Sequence, residues 1–375
     1  MSQPIPFIDL QAQRRRLGAS LEVAIQKAVE GGQWILGPQV AQLERELAQW
    51  AGVKHAIACA NGTDALLLVL RAWGVGPGDA VFVPAFTFAA SAEVVALAGA
   101  VPVFVDVLPD TFNIDPVSLE AAIAMVKKDG ALKPKVVMPV DLFGQPADYR
   151  SLTPIAKREG LKLLCDTAQG FGGVMDGKRT GSIGDAAATS FFPAKPLGCY
   201  GDGGACFTND DALKDKLLSL RMHGQGSDRY EHVAIGLNSR LDTIQAAILI
   251  EKLKIFDDEI ETRNAIARRY SEAFAASNRI KTPPVMEGAL SIWASYTLQV
   301  ENRSEFQLKL KSAGIPTMVY YPIPLSRQPA YAHYPSVPTP VSEALSGQVL
   351  SLPMHPYLDE ATQDRIIAAV LAAAG

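Results

Sequence analysis

The chain has 375 residues, of which 48% are hydrophobic and 20% are charged, as in an ordinary globular protein and unlike a disordered or fibrous one. Its formal net charge is −4 at pH 7 and its longest basic run is three arginines at 14–16, which argues against the basic surface of a nucleic-acid-binding protein. The four cysteines form no CxxC pair and the five histidines are dispersed, so the sequence predicts neither disulfides nor a metal site.

The length also bears on domain organisation. Because single cores stop growing at about 250–300 residues, two domains are predicted, a large one at 1–250 and a small one at 251–375. The N-terminus lacks the successive basic, apolar and small-residue regions of a secretory signal, and no apolar stretch reaches membrane-spanning length. We therefore expect a cytoplasmic protein without a membrane partner.

Seven short apolar runs rich in β-branched residues follow one another between residues 55 and 210. They begin near residues 55, 81, 101, 135, 161, 186 and 205. Between them, segments 64–73 and 118–128 have helical spacing, and Gly74 ends the first of these. This alternation predicts an α/β domain with a seven-stranded, mostly parallel sheet that is covered on both faces.

The rest of the chain has a different pattern. Segment 241–270 is predicted to be one long helix with a charged face that joins the two domains. Segment 281–357 is rich in proline, with strand-like alternation at 295–300, and segment 361–374 is a closing helix. These features predict a smaller α+β C-terminal domain.

Lys195 is unusual among the lysines because aromatic residues, prolines and glycines surround it, with no other charge for several residues on either side. Desolvation disfavours the ammonium form, lowers the pKa and frees the amine for Schiff-base chemistry. The local sequence alone leaves open that this is an ordinary loop lysine.

Two further signals accompany this lysine. Asp166 ends a buried apolar run, at the edge where α/β sheets assemble ligand sites, and could pair with a pyridinium nitrogen, although it could also be a helix cap or a loop ion-pair residue. Gly62 and Thr63 lie between a strand and a helix, where free N–H groups can hold a phosphate, although plain capping is the alternative. Segment 172–178 has GxxxxGK spacing, but Arg179 replaces the P-loop hydroxyl, so a turn is predicted there.

With Gly62-Thr63, Asp166 and Lys195 in this order, the chain resembles the DegT/DnrJ/EryC1/StrS sugar aminotransferases, which have the aspartate aminotransferase fold (fold type I). The resemblance covers nearly the whole chain and rests on these motifs: Phe7-Ile8-Asp9-Leu10, Gly37-Pro38, Asn61-Gly62-Thr63-Asp64-Ala65-Leu66, Pro84-Ala85-Phe86-Thr87-Phe88, Asp166-Thr167-Ala168-Gln169, the lysine loop, Asn238-Ser239-Arg240 and Tyr321-Pro322.

The resemblance implies pyridoxal 5'-phosphate (PLP) as cofactor, with Lys195 as Schiff-base former and proton shuttle and Asp166 on the pyridine nitrogen. The other implied cofactor contacts are Gly62, Thr63 and Ser190 at the phosphate, Phe88 stacked on the ring, and Gln169 beside the ring hydroxyl or phosphate. It also implies a homodimer with shared active sites, in which Asn238 reaches the neighbour's phosphate and Arg240 the neighbour's substrate.

The implied substrates are L-glutamate and a UDP-linked keto-sugar. The lysine loop and Pro-Ile-Pro-Leu at 322–325 are most similar to the branch of the family that aminates UDP-2-acetamido-2-deoxy-3-keto-glucuronate on a route to bacterial O antigen. The implied substrate contacts are Gly32, Trp34, Ala194, Arg240, Tyr320 and Tyr321. For the two tyrosines, ordinary packing is an equal alternative.

Three positions depart from the family pattern on the substrate side. Tyr320 stands where the family usually has His, Ala194 replaces a Ser, and Asp141 replaces a small polar residue or His. Two other functions stay open at this point: an aminotransferase acting on a 4-keto-sugar nucleotide, and a PLP-binding regulator without turnover, which the intact Lys195 disfavours.

Overall fold

A computed structural model describes residues 4–228 and 230–375 of the chain. The α-helices are α1 Leu10–Leu17, α2 Ala19–Glu30, α3 Pro38–Ala51, α4 Gly62–Ala72, α5 Ala90–Leu97, α6 Pro116–Asp129, α7 Tyr149–Glu159, α8 Asp211–Leu220, α9 Thr243–Leu253, α10 Phe256–Phe274, α11 Arg303–Ser312, α12 Pro340–Gln348 and α13 Glu360–Ala374. The strands are β1 His55–Cys59, β2 Asp79–Pro84, β3 Val101–Val105, β4 Lys133–Val137, β5 Lys162–Asp166, β6 Val174–Met175, β7 Lys178–Arg179, β8 Ala186–Ser190, β9 Gly204–Thr208, β10 Ile280–Lys281, β11 Ala289–Leu290, β12 Tyr296–Val300 and β13 Val349–Leu352.

The seven apolar runs all become strands of one sheet, in the order β1-β9-β8-β5-β4-β2-β3. β9 runs antiparallel to its neighbours β1 and β8, and the other neighbouring pairs are parallel. The predicted seven-stranded, mostly parallel sheet is therefore confirmed. The carboxyl ends of β2, β4, β5 and β8 meet at one edge, where the functional side chains lie.

Both faces of this sheet are covered because side chains alternate along each strand. In β2, Phe82 packs with α3, α6, α7 and α9 on one face, whereas Val81 and Val83 pack with α4, α5 and α8 on the other. Strands buried on both faces read as continuous apolar runs, which is why the sequence marked them clearly.

The C-terminal part builds a smaller α+β unit around the sheet β10-β12-β13. Its core combines α10, α11 and α13 with these strands, and Ile5 from the N-terminal segment joins it. The predicted strand at 295–300 and helix at 361–374 correspond to β12 and α13. The predicted domain division at 250/251 falls within α9 and stays a prediction.

The prediction of one long helix over 241–270 is wrong, because α9 ends at Leu253 and α10 begins at Phe256. At Ile255 the backbone leaves helical geometry, with φ −108° and ψ 0°. The break turns the fully buried Phe256 into the core, and the three acidic residues at 257–259 favour a helix start. The GxxxxGK segment forms the small hairpin β6-β7, in agreement with the predicted turn.

The predictions from composition can be compared with the described residues. The four cysteines are free and buried. Within 4–228 and 230–375, no cluster of three or more His, Cys, Asp or Glu side chains could hold a metal ion. No helix in the described ranges combines the length and apolar character needed to cross a bilayer.

Candidate functional site

A cavity of about 700 Å³ opens at the carboxyl edge of the central sheet. Ten of the predicted site residues line it: Gly62, Thr63, Phe88, Asp166, Gln169, Ser190, Ala194, Lys195, Tyr320 and Tyr321. They come from α4, from the segments that follow β2, β5 and β8, and from a C-terminal segment. The fold thus brings together residues that are up to about 260 positions apart, at the sheet edge where ligands of α/β proteins bind.

Lys195 lies in the loop between β8 and β9, where its N–H donates to the carbonyl of Phe192 at 2.8 Å. The side chain is half-buried and faces the cavity. Desolvation lowers the pKa of Lys195, and the nearby carboxylate of Asp166 opposes that shift. Lowering the pKa increases the fraction of the neutral amine, the form that attacks a carbonyl carbon or accepts a proton.

Asp166 is the last residue of β5 and is buried. Its Oδ1 accepts from the Ala168 N–H at 3.1 Å, and its Oδ2 accepts from the Ser91 hydroxyl at 3.0 Å. Burial raises the pKa of Asp166, whereas these two donors and the charge of Lys195 lower it. The carboxyl group is therefore rigidly oriented and electrostatically coupled to Lys195.

Ser91 was not predicted as a site residue. It lies in the first turn of α5 and contacts both Asp166 and the Thr87 hydroxyl, the latter at 3.4 Å. In the sequence it is one small residue in an alanine-rich stretch. Only the packing of α5 against the β5 end reveals its role, so no local pattern could have found it.

The first turn of α4, at Gly62 and Thr63, also lines the cavity, and we call it the cradle. Asn61 is the N-cap of this helix, and its side chain accepts from the Asp64 N–H at 2.8 Å. Among the described residues, no acceptor pairs with the N–H groups of Gly62 and Thr63. A Cβ on Gly62 would lie 2.6 Å from Ser190 Cβ. Glycine is therefore needed for the helix end to approach the Ser190 side chain.

Aromatic side chains form one wall of the cavity. Phe88 is 57% exposed, and its ring centre lies 6.2 Å from that of Tyr321. Gln169 donates to the Tyr321 hydroxyl at 3.1 Å and accepts from the Phe143 N–H at 3.0 Å. Tyr320 and Tyr321 both pack against a buried cluster and also line the cavity. Substrate contact by either tyrosine stays a prediction.

Asp141, which departs from the family pattern, is fully buried and is not among the residues that line the cavity. Its Oδ1 accepts from the Tyr149 hydroxyl at 2.7 Å and from the Ala147 N–H at 2.8 Å, whereas its Oδ2 has no partner among the described residues. Burial, together with the charge of Asp166, raises the pKa of Asp141 to about 7.

Four predicted residues lie outside the cavity of their own chain: Gly32, Trp34, Asn238 and Arg240. Trp34 is 57% exposed, and its carbonyl accepts from the Thr243 N–H at 2.8 Å. Ile35 and Asp242 form an antiparallel bridge beside this contact. The segment that contains Trp34 therefore lies next to the segment that contains Arg240. We call this region the 32–35/238–242 surface.

Comparison with known proteins agrees with this geometry. Residues 16–371 match the model of the DegT/DnrJ/EryC1/StrS aminotransferase family. The chain belongs to this family. The expected family and its fold are thereby confirmed, since the match spans both the large sheet and the C-terminal unit.

Three known proteins illustrate the similarity. UDP-2-acetamido-2-deoxy-3-oxo-D-glucuronate aminotransferase from Pseudomonas aeruginosa is 48% identical over 98% of this chain and 99% of its own. A DegT DnrJ EryC1 StrS aminotransferase from Brucella abortus superposes with a TM-score of 0.97 at 55% identity, covering 99% of this chain and 100% of its own. NtdA from Bacillus subtilis, solved with bound cofactor PMP, has a TM-score of 0.87 at 30% identity, covering 100% and 86%.

The residues of this family member fit PLP. The unpaired amides of Gly62 and Thr63 suit a phosphate, and the cradle is kept open by the absence of a Cβ at Gly62. Asp166 is a buried acceptor suited to a protonated ring nitrogen, and Lys195 is a partly desolvated amine in the same cavity. The cavity thus combines an anion site, a carboxylate and a nucleophilic amine.

Proposed function

We propose that the chain is a PLP-dependent aminotransferase that transfers an amino group from L-glutamate to UDP-2-acetamido-2-deoxy-3-oxo-D-glucuronate. The observation that carries this proposal is the joint location of Lys195, Asp166 and the free N-terminus of α4 in one cavity. The sugar is inferred from the P. aeruginosa relative, which is 48% identical over nearly the full length of both chains. PMP, the cofactor bound to NtdA, is the amino form of PLP, and its presence there supports PLP as the cofactor of this chain.

When bound, PLP supplies an electron sink that stabilises the carbanion formed at the amino-acid α-carbon. Lys195 Nζ would hold the cofactor through its aldehyde group and would become free when the amino-acid substrate binds. The freed Nζ would then be placed to accept the α-proton of glutamate and to return it to the cofactor, and a water molecule would supply the carbonyl oxygen of the released 2-oxoglutarate. In the second half-reaction Lys195 would move a proton in the reverse direction as the sugar ketone gains the amino group.

The other residues would bind and orient. Asp166, held by Ser91 and the Ala168 N–H, would keep the pyridine nitrogen protonated. Gly62, Thr63 and Ser190 would hold the phosphate, and Phe88 would cover one face of the ring. Gln169, already bound to Tyr321 and the Phe143 N–H, would sit beside the ring substituents.

We further propose that the chain forms a homodimer whose two chains share their active sites. The enzyme would work in the cytoplasm, in polysaccharide or O-antigen synthesis. Trp34, Ile35, Val233 and Ile235 are large apolar side chains that are 47–86% exposed, and such exposure is typical of a protein interface. Arg240 lies on the 32–35/238–242 surface without an ion-pair partner among the described residues, and would pair with the uronate carboxylate at the neighbour's site.

A two-stage experiment tests the proposed reaction. Purified enzyme with PLP is first converted by L-glutamate, and the lysine-bound cofactor absorbance should disappear as 2-oxoglutarate accumulates. UDP-linked 3-keto-glucuronate should then restore the absorbance faster than 4-keto sugar nucleotides or a 3-keto sugar without the carboxylate. Faster recovery with a 4-keto sugar would overturn the assigned substrate.

Substitution of the lysine tests the catalytic assignment. Lys195→Ala should lack the lysine-bound absorbance and lose turnover by several orders of magnitude, because both covalent attachment and proton transfer are removed. Lys254→Ala, which removes an exposed lysine paired with Glu251, is the control and should behave as wild type. A chain that binds PLP through Lys195 but never turns over any keto-sugar would instead be a regulator.

A further inference from the structure

Lys252 is a buried lysine behind the loop that carries Lys195. It lies in α9, its side chain is 1% exposed, and its Nζ donates to the Gly198 carbonyl at 2.5 Å. Its ammonium also lies 4.5 Å from the centre of the Tyr200 ring. A buried charge is costly unless it is well paired, so this contact with the loop calls for a functional explanation.

The loop at 191–203 is tightly closed. The Phe191 N–H donates to the Gly203 carbonyl at 2.7 Å, and the Cys199 N–H donates to the Phe191 carbonyl at 2.8 Å. A Cβ on Gly198 would lie 2.5 Å from the Pro193 carbonyl oxygen. Lys195 therefore lies in the middle of a compact loop. Lys252 contacts this loop through the Gly198 carbonyl.

A second side chain of α9 holds the same loop. Gln245 accepts from the Tyr200 N–H at 2.8 Å, and its amide lies 3.4 Å from the Tyr200 carbonyl. Gln245 and Lys252 are seven residues apart, about two helical turns, so they project from one face of α9. The helix thus holds the loop at two positions, Gly198 and Tyr200.

The ammonium of Lys252 also belongs to a buried charge network. Glu259 of α10 stabilises the charge of Lys252 and that of Arg263. Gln13 donates to both oxygens of Glu259, at 3.0 and 3.1 Å, and Tyr357 donates to one of them. Arg263 donates to the Trp293 carbonyl at 3.1 Å, next to the cavity residues Ala294 and Ser295. The charge of Glu259 thus acts both on Lys252 and on Arg263, whose side chain is bonded next to the cavity lining.

We infer that Lys252 is a positioning residue for Lys195: its ammonium, held on the Gly198 carbonyl, fixes the 191–203 loop and so the direction of the Lys195 amine. The inference rests on the proposed function for its consequence in catalysis. The order of the loop itself can be measured without turnover.

Burial lowers the pKa of Lys252 to about 8, with Glu259 and Cys199 opposing the shift. The titratable groups that face Lys252 from the loop are Cys199, whose pKa burial raises to about 11, and Tyr200, whose pKa burial also raises. Arg14 acts on Tyr200 and Asp202 on Cys199. Between pH 7 and 9.5, Lys252 should therefore lose its proton while both loop groups keep theirs. Burial also lowers the pKa of Lys195, but this lysine is present in wild type and in every Lys252 variant and so does not distinguish them.

Hydrogen exchange of the cofactor-free full chain tests the inference directly. In Lys252→Met, the amides of 195, 199 and 200 should exchange at least about tenfold faster than in wild type at pH 7, because a charge-assisted hydrogen bond is lost. Lys254→Met, two residues further on and exposed, should match wild type. Attachment of added PLP to Lys195, followed by absorbance, should slow in Lys252→Met alone.

A pH series separates positioning from a general loss of folding. After correction for intrinsic exchange, loop exchange in wild type should rise with a midpoint near pH 8, whereas Lys252→Arg should stay flat because guanidinium keeps its charge. This comparison remains available if Lys252→Met does not fold. Identical pH dependence in wild type and Lys252→Arg, or slow exchange in folded Lys252→Met, would overturn the inference. If loop exchange depends on pH in this way but the chain shows no transaminase turnover, only the proposed function would be overturned.

Discussion

Burial of Asp141 should make the free energy of unfolding depend on pH. Its pKa of about 7 lies above the ordinary value of 3.8, mainly because of burial. Between these values the folded chain binds a proton that the unfolded chain has released. The free energy of unfolding should therefore fall as pH rises from about 4 to 7, by at most about 1.4 kcal/mol per pH unit from this group.

Asp141→Asn should remove this contribution while its amide oxygen still accepts from Tyr149 and Ala147. Relative to wild type, the variant should gain stability steadily between pH 5 and 7. Urea unfolding at several pH values measures the difference, and Asp148→Asn, which alters the partly buried cap of α7 nearby, is the control. A constant difference between wild type and Asp141→Asn across this range would contradict the prediction.

Individual residues were predictable where the local sequence is unusual. Lys195 is an isolated charge in an apolar loop, and Asp166 ends an apolar run. Ser91 and Lys252 carry no such mark, because a serine among alanines and a lysine in a helix are ordinary. Their contacts with Asp166 and Gly198 join residues 75 and 54 positions apart, so they exist only in the folded chain.

At the scale of an element, the start of α4 depends on the lack of a side chain at Gly62. Gly62→Ala would place a Cβ 2.6 Å from Ser190 Cβ, so the helix end or the β8 end must move. We expect a loss of about 1–3 kcal/mol in the free energy of unfolding without cofactor. PLP binding should also weaken, because the cradle N–H groups shift away from the phosphate.

Gly347→Ala in α12 is the matched control for this change. No atom lies within 4 Å of a Cβ at Gly347, so alanine should stabilise the helix by about 0.5–1 kcal/mol. Denaturant unfolding and PLP titration of the two variants give the comparison. The cradle assignment fails if Gly62→Ala binds PLP as tightly as wild type.

Elements were predicted best where burial alone decides the pattern. The seven core strands are continuous apolar runs because helices cover both faces of the sheet. The break between α9 and α10 was missed because segment 241–270 keeps helix-forming residues throughout. The chain turns there so that Phe256 packs in the large core while α10 continues into the C-terminal one, which is a tertiary requirement.

For the whole molecule, the main question is whether the 32–35/238–242 surface serves the cavity of its own chain or that of a neighbouring chain. Arg240 and Asn238 lie outside their own cavity, and sequence motifs could identify them but not say which cavity they serve. Complementation between two inactive variants can decide the matter.

Lys195→Ala and Arg240→Ala impair different parts of a shared site. If Arg240 serves the neighbouring chain, a mixed dimer has one site with both residues intact and one with neither. Random reassociation of equal amounts should restore about one quarter of wild-type turnover, since about half of the dimers are mixed and each has one working site of two.

The measurement is turnover of the mixture after joint unfolding and refolding, compared with each variant treated alone. Lys195→Ala mixed with Asp166→Ala is the control, because both residues lie in the cavity of one chain. A mixed dimer of these two variants has no intact site, so that mixture should stay inactive. Turnover of the first mixture that remains at the level of Arg240→Ala alone would show that each chain uses its own Arg240. The 32–35/238–242 surface would then need a role other than completing the neighbour's active site.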